Sequence, residues 1–297
     1  MKPLLFKHRL EYVALLAIAP LIRALPRPLA LRFGSGIGGL SHWLLRARRA
    51  LAEDNVRQAF PDWPSQQVSA MVKQNFEHLG MSAVDFLRLD LFTADDLEKN
   101  FDIQGFEHLH EALAMKRGVI LLTGHLGFWE VGNFVFPTLG IPLDNIAKPL
   151  KNRLADAYFH RIRTHFGADI INSRKGARQI LKSLQAGHAI GLLLDQHISP
   201  PGSIQVDFFG RKAYVTTAIT NLAMKYQIPI VATFCLRQPD NRYKAWFEPP
   251  LLLAGDGEAA LTENTQYLTN IIEQAIRRDP GQWFWMHKRW RNTKTKK

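Results

Sequence analysis

Apolar positions recur at helical spacing early in the chain and cluster into strand-length runs later. Between Gln66 and Leu89, the residues Val68, Met71, Val72, Phe76, Leu79 and Val84 fall on or near one stripe, which predicts an amphipathic helix. Leu51–Phe60 has the same periodicity. Beyond about residue 100 the pattern changes. Short apolar runs at Gly118–Gly124, Asn145–Lys148, Asp169–Asn172, Ala189–Asp195, Ile228–Leu236 and Tyr243–Glu248 predict strands. Helical patterns lie among them at Phe106–Lys116, Phe128–Leu139, Arg153–Phe166, Ala177–Ala186, Thr216–Tyr226 and Glu263–Arg277. This alternation predicts an α/β fold, a mostly parallel central sheet covered by helices on both faces. In such sheets the chemistry sits in loops at the carboxyl ends of strands. With no internal repeat and no low-complexity linker, residues 51–100 read as a helical appendage to an α/β domain over 101–297.

The first fifty residues follow another pattern. Residues 12–22, Tyr-Val-Ala-Leu-Leu-Ala-Ile-Ala-Pro-Leu-Ile, are flanked by Lys2, Lys7 and Arg9 on one side and Arg23 and Arg27 on the other. As a helix this run spans about 16 Å against the ~30 Å hydrocarbon core of a bilayer, so it does not cross alone. No small-x-small cleavage site follows, which argues against a signal peptide. A second semi-apolar stretch, Phe33–Leu45, is loosened by Gly34, Gly36, Gly38 and Gly39 and closes on Arg46, Arg48 and Arg49. Two short apolar helices bordered by arginines predict an N-terminal helical membrane anchor over residues 1–50, lying in-plane or partly inserted. The alternative is a helical hairpin packed on the protein's own core.

Charge sharpens this picture only when it is located. The 297 residues sum to a formal +12, yet residues 1–50 carry nine Lys/Arg and one acid, and residues 287–297 carry six Lys/Arg and no acid. The basicity therefore belongs to the two ends. That distribution suits an anionic membrane surface. It also suits nucleic acid, but no zinc-finger, single-stranded-binding or helix-turn-helix signature accompanies it, and no nucleic-acid partner is expected. The single cysteine, Cys235, excludes a disulfide framework and a Cys-rich metal site. It lies in an apolar run with no adjoining basic residue, which marks a packing residue rather than a nucleophile.

The first predicted strand runs into His125, and Glu130 follows five positions later. On a regular helix that spacing turns the two side chains about 140° apart. Gly124 and Gly127 permit a tighter turn that lets Glu130 reach back to the imidazole. A carboxylate so placed holds one tautomer and stabilises the imidazolium, the logic of a base with its orienting group. Metal ligation is the competing reading, with Asp195 or His197 as the further ligand, but the spacing is not the His-Glu-x-x-His of a zinc helix and no metal is expected.

The run Thr-Gly-His-Leu-Gly-Phe-Trp-Glu (123–130) resembles the His-x4-Asp/Glu motif of the glycerolipid acyltransferase superfamily, and specifically that of the bacterial lipid A late acyltransferases. Ala-Lys-Pro-Leu-Lys-Asn (147–152), Leu-Leu-Leu-Asp-Gln-His (192–197), Val-Asp-Phe-Phe-Gly-Arg-Lys-Ala (206–213) and Trp-Phe-Trp-Met-His-Lys-Arg-Trp (283–290) resemble further motifs of that family in the same order. Relatives that acylate phosphatidylinositol mannosides share these motifs. The resemblance implies an O-acyltransferase without cofactor, working at the cytoplasmic face of the bacterial inner membrane. Its donor would be an acyl thioester, acyl-acyl carrier protein or else acyl-CoA, and its acceptor a hydroxyl of a membrane lipid. His125 would be the general base and Glu130 its orienter. Backbone N–H groups after Gly127 and a guanidinium would receive the oxyanion. The family's functional arginine lies at a distance that points to Arg161 or Arg163, two apart on one predicted helix, with Arg174 a further choice. Asp195 would sit on the same rim, orienting an arginine or His125, or capping its own loop. Lys148, Arg174, Arg211 and Lys212 would meet acceptor phosphates or remain solvated cations. Trp283, Trp285 and Trp290 would form an interfacial belt or the core of a last helix; periodicity does not separate the two.

Overall fold

A computed structural model describes residues 6–173 and 176–291. Four helices open the chain, α1 (Phe6–Ala24), α2 (Arg27–Leu44), α3 (Arg46–Ala59) and α4 (Ser65–Leu87). Then come α5 (Ala94–Asn100), β1 (Phe101–Gln104), α6 (Phe106–Ala114), β2 (Val119–Thr123), α7 (Gly132–Thr138) and β3 (Leu143–Ala147). The chain continues through α8 (Arg153–Arg163), β4 (Asp169–Asn172), α9 (Gly176–Gln185), β5 (Ala189–Leu193), β6 (Ser203–Phe208) and β7 (Arg211–Thr216). It closes with α10 (Ala218–Tyr226), β8 (Ile230–Arg237), β9 (Tyr243–Phe247) and α11 (Gly257–Arg278).

Seven strands form the central sheet in the order β1-β9-β8-β2-β5-β3-β4. The pairings are parallel except β8 with β9. Alternate residues of β2 explain why both faces must be covered. Ile120 and Leu122 enter one hydrophobic cluster with β5, α11 and the tryptophans, whereas Val119 and Leu121 enter another with α6, Phe136 and Ile141. A strand buried on both sides reads as one continuous apolar run, which is why β2, β5 and β8 are legible in the sequence.

Three elements depart from the expectation. Strand β1 is four residues long at the sheet edge and pairs with β9. Residues 206–213, not among the predicted strands, lie in the antiparallel hairpin β6–β7, turned by Phe209 at φ 54° and Gly210 at φ 70°. The aromatic C-terminal segment is not a helix, because α11 stops at Arg278 and residues 280–282 form a single 3-10 turn. Its tryptophans are nonetheless core: Trp283, Trp285 and Trp290 are 1%, 0% and 7% exposed, which decides against an interfacial belt. Asn55 on α3 and Asn75 on α4 fasten this segment, donating to the carbonyls of Trp285 and His287 and of Gly281 and Trp283.

No described helix is long and apolar enough to cross a membrane. Helix α2 crosses α4 backbone to backbone: a Cβ at Gly38 would lie 2.2 Å from the Phe76 carbonyl oxygen. Helix α1 is tied down by polar contacts, Arg23 to Asp90 and Asn152 to the His8 carbonyl and Glu11. Arg27 opens α2 with a fork on buried Asp85, which Arg237 and Tyr243 also reach. Away from these seams, α1 and α2 leave Phe6, Leu10, Val13, Leu21, Phe33 and Trp43 exposed.

Candidate active site

Strand register builds the centre of the site. Thr123 of β2 pairs with Leu193 of β5, so two residues past both strand ends His125 and Asp195 come abreast. His125 Nδ1 lies 2.8 Å from Asp195 Oδ1, and the His125 backbone N–H donates to Asp195 Oδ2 at 2.7 Å. Trp283 donates its indole N–H to the same oxygen at 2.7 Å. Asp195 is buried, which opposes ionisation. The neighbouring His125 charge and hydrogen bonds from the His125 ring, the Trp283 indole and the His125 amide outweigh this and hold the carboxyl at about 2. The ionised carboxylate accepts the Nδ1 proton and leaves Nε2 as the basic nitrogen.

The loop carrying His125 is sewn down on every side. The Gly127 amide donates to Gln282, the Phe128 amide to Cys235 and the Phe284 amide to the His125 carbonyl. Gly127 sits at φ 63°, and a Cβ there would lie 1.9 Å from the Cys235 carbonyl oxygen, so only glycine fits. The Gly127 and Phe128 amides are therefore committed to backbone partners, so the first amide after Gly127 is already engaged.

Glu130 does not hold His125 in this structure. The chain enters a 3-10 turn at Trp129–Val131 and directs the Glu130 carboxylate toward α8. There Arg163 donates Nε at 3.0 Å and Nη2 at 2.5 Å, and Asn133 donates at 3.1 Å. Burial works against the Arg163 charge, but the Glu130 hydrogen bonds and charge outweigh it and raise the guanidinium above its ordinary value. The carboxylate on the histidine is Asp195 instead, because strand register outranks proximity in sequence.

The other singled-out residues scatter. Arg161 is exposed, its guanidinium 5.2 Å from the Tyr158 ring centroid, on another side of α8 from Arg163. Lys148 is exposed just past β3. Arg211, half-buried, stacks 4.7 Å over Trp290, and exposed Lys212 pairs with Asp207 at 3.0 Å. Arg174 lies outside the described residues. Among the described residues no three His, Cys, Asp or Glu side chains gather as metal ligands; Asp195 joins His125 through hydrogen bonds, and His197 instead contacts Ser199. Cys235 is buried, and burial pushes its thiol up to about 12. Two neighbours of His125 lie in motifs quoted above that give them no place at the histidine: Gln196, whose side-chain nitrogen lies 3.0 Å from His125 Nε2, and Trp283.

Beside the histidine an apolar cavity opens under residues 128–136. Leu121, Leu193, Val131, Val135, Phe136 and Phe247 are among its walls, as are Thr123 and Trp129. Trp129 packs 5.2 Å from the His125 ring, so this cavity adjoins the base.

A carboxylate-held imidazole at a strand's carboxyl end, beside an apolar slot, defines an enzyme site able to activate a hydroxyl against an apolar substrate. A family model described as "Bacterial lipid A biosynthesis acyltransferase" matches residues 4–292, and the chain belongs to that family. It is accordingly an O-acyltransferase. The chain is 27% identical to the lipid A biosynthesis palmitoleoyltransferase of Escherichia coli K12, over 90% of this chain and 86% of that protein. It is 26% identical to the lipid A biosynthesis lauroyltransferase of the same organism, over 91% and 88%. A phosphatidylinositol mannoside acyltransferase of Mycobacterium tuberculosis H37Rv is 23% identical over 73% and 69%.

Proposed function

We propose that this chain moves a fatty acyl group from acyl-acyl carrier protein to a hydroxyl of a lipid A precursor at the cytoplasmic face of the inner membrane. The observation that carries the reading is the 2.8 Å His125–Asp195 pair beside the apolar cavity. His125 Nε2 removes the acceptor hydroxyl proton as the oxygen attacks the thioester carbonyl. The tetrahedral intermediate collapses with loss of the C–S bond, and the departing sulfur receives the proton from His125. Asp195 holds the ring and balances the imidazolium. The acyl chain lies in the cavity under residues 128–136, where each buried methylene contributes about 0.8 kcal/mol. Glu130 acts at one remove by positioning Arg163 against the site.

The exposed apolar side chains of α1 and α2, among nine Lys/Arg in residues 1–50, support an in-plane contact with an anionic membrane surface. The test of function is mass spectrometry of lipids from cells with and without the gene. Gain of one acyl mass on a lipid A species supports the reading. Unchanged lipid A with a newly acylated phosphatidylinositol mannoside or other glycolipid moves the acceptor, the second reading that the mycobacterial relative favours. No change in any lipid contradicts both.

A further inference from the structure

The transition state of acyl transfer places a full negative charge on the former carbonyl oxygen, and a donor must meet it within about 3 Å. Four consecutive amides beside His125 are already engaged. The amides of residues 125, 126, 127 and 128 donate to Asp195, Gly124, Gln282 and Cys235 respectively. Arg163 spends its Nε and Nη2 on Glu130. At the reactive nitrogen itself stands Gln196, 3.0 Å away. Because Asp195 takes the Nδ1 proton, Nε2 is an acceptor, so the Gln196 amide nitrogen faces it and donates.

We propose that Gln196 is a catalytic donor to the oxyanion, an inference that rests on the acyl-transfer reading above. In the resting site its N–H is parked on the lone pair of His125 Nε2. The acceptor hydroxyl must take that same lone pair to be deprotonated, and its arrival displaces the Gln196 N–H. The freed donor then stands one hydrogen-bond length from the position where the new C–O bond forms and the carbonyl electron pair moves onto oxygen. The exchange keeps a hydrogen-bond partner on Nε2 in both states. Gln196 follows Asp195 directly in the chain, so the β5 terminus that holds the base also supplies the donor.

The test compares Gln196→Ala and Gln196→Glu with His125→Ala, using lauroyl-acyl carrier protein and a lipid A precursor. Gln196→Ala is expected to lower kcat and kcat/KM together by about 10²–10³-fold, with both KM values within about threefold of wild type. Gln196→Glu keeps the shape, removes the donor and adds charge beside the oxyanion, so it is expected to be at least as impaired. It also covers failure of the alanine variant to fold. If either folded variant keeps kcat within about threefold while His125→Ala is inactive, Gln196 is not the donor and the base assignment stands. An effect confined to the acceptor KM makes Gln196 a binding residue and overturns the proposal. Activity retained by His125→Ala overturns the underlying reading instead.

Discussion

Replacing Asp195 by asparagine keeps its volume and removes its charge from the most tightly held carboxylate of the site. Three donors converge on Asp195, the His125 ring, the His125 amide and the Trp283 indole, at 2.7–2.8 Å. An amide has one acceptor oxygen and a donor group, so it must either leave the His125 amide and the Trp283 indole facing an N–H or turn the imidazole to the other tautomer. The second outcome removes the base. On this ground kcat is expected to fall by about 10³–10⁴-fold, measured by transfer of labelled acyl groups from acyl carrier protein. Stability supplies a second magnitude. Depression of the carboxyl from its ordinary 3.8 to about 2 is worth about 2 kcal/mol to the folded protein at neutral pH. A depressed acid stabilises the fold above its unfolded-state value and loses that contribution as pH falls through the folded one. The gap in urea stability between wild type and Asp195→Asn is thus expected to be about 2 kcal/mol at pH 7 and to close between about pH 4 and 2. A variant with kcat within tenfold of wild type, or a stability gap independent of pH over that interval, would refute the reasoning.

Glu130→Ala and Arg163→Ala should impair turnover to similar degrees and the double variant no further than either, because the two act as one unit. Their unfolding free energies should each fall by about 1–3 kcal/mol in urea titrations, since a half-buried fork is broken. Cys235→Ala should retain turnover, and iodoacetamide at pH 7.5 should leave the native thiol unlabelled, because burial holds it up at about 12. Joint replacement of Leu10, Val13 and Leu21 by aspartate should reduce cosedimentation with anionic phospholipid vesicles at least tenfold without altering circular dichroism, as all three are exposed. Retained binding would move the membrane contact off α1.

The sheet is legible in the sequence where its strands are buried on both faces, as in β2, β5 and β8. Strand β1 is not, since its four residues alternate in burial at an edge and are specified by their pairing with β9. The β6–β7 turn is only half announced: Gly210 marks it, but Phe209 adopts a left-handed conformation that bulky side chains rarely take. His125 stands out in the sequence as the residue a strand runs into. Its carboxylate is legible only as one of three roles left open for Asp195, which is 70 residues away and reaches the ring through the pairing of Thr123 with Leu193. Glu130 looks the better partner from spacing alone, but its turn gives it to Arg163. The C-terminal tryptophans read equally as belt or core until Asn55 and Asn75 are seen to draw the segment inward.

Incubation of purified wild type and His125→Ala with labelled lauroyl-acyl carrier protein and a lipid A precursor, read by mass spectrometry of the lipid, is the most direct test of acyl transfer by a histidine base. Wild type is expected to add one lauroyl mass to the precursor in an ester bond, and the folded variant to form product at least 10²-fold more slowly. Equal product formation by the two proteins would contradict the mechanism, and absence of acylated lipid with folded wild-type protein would contradict the function.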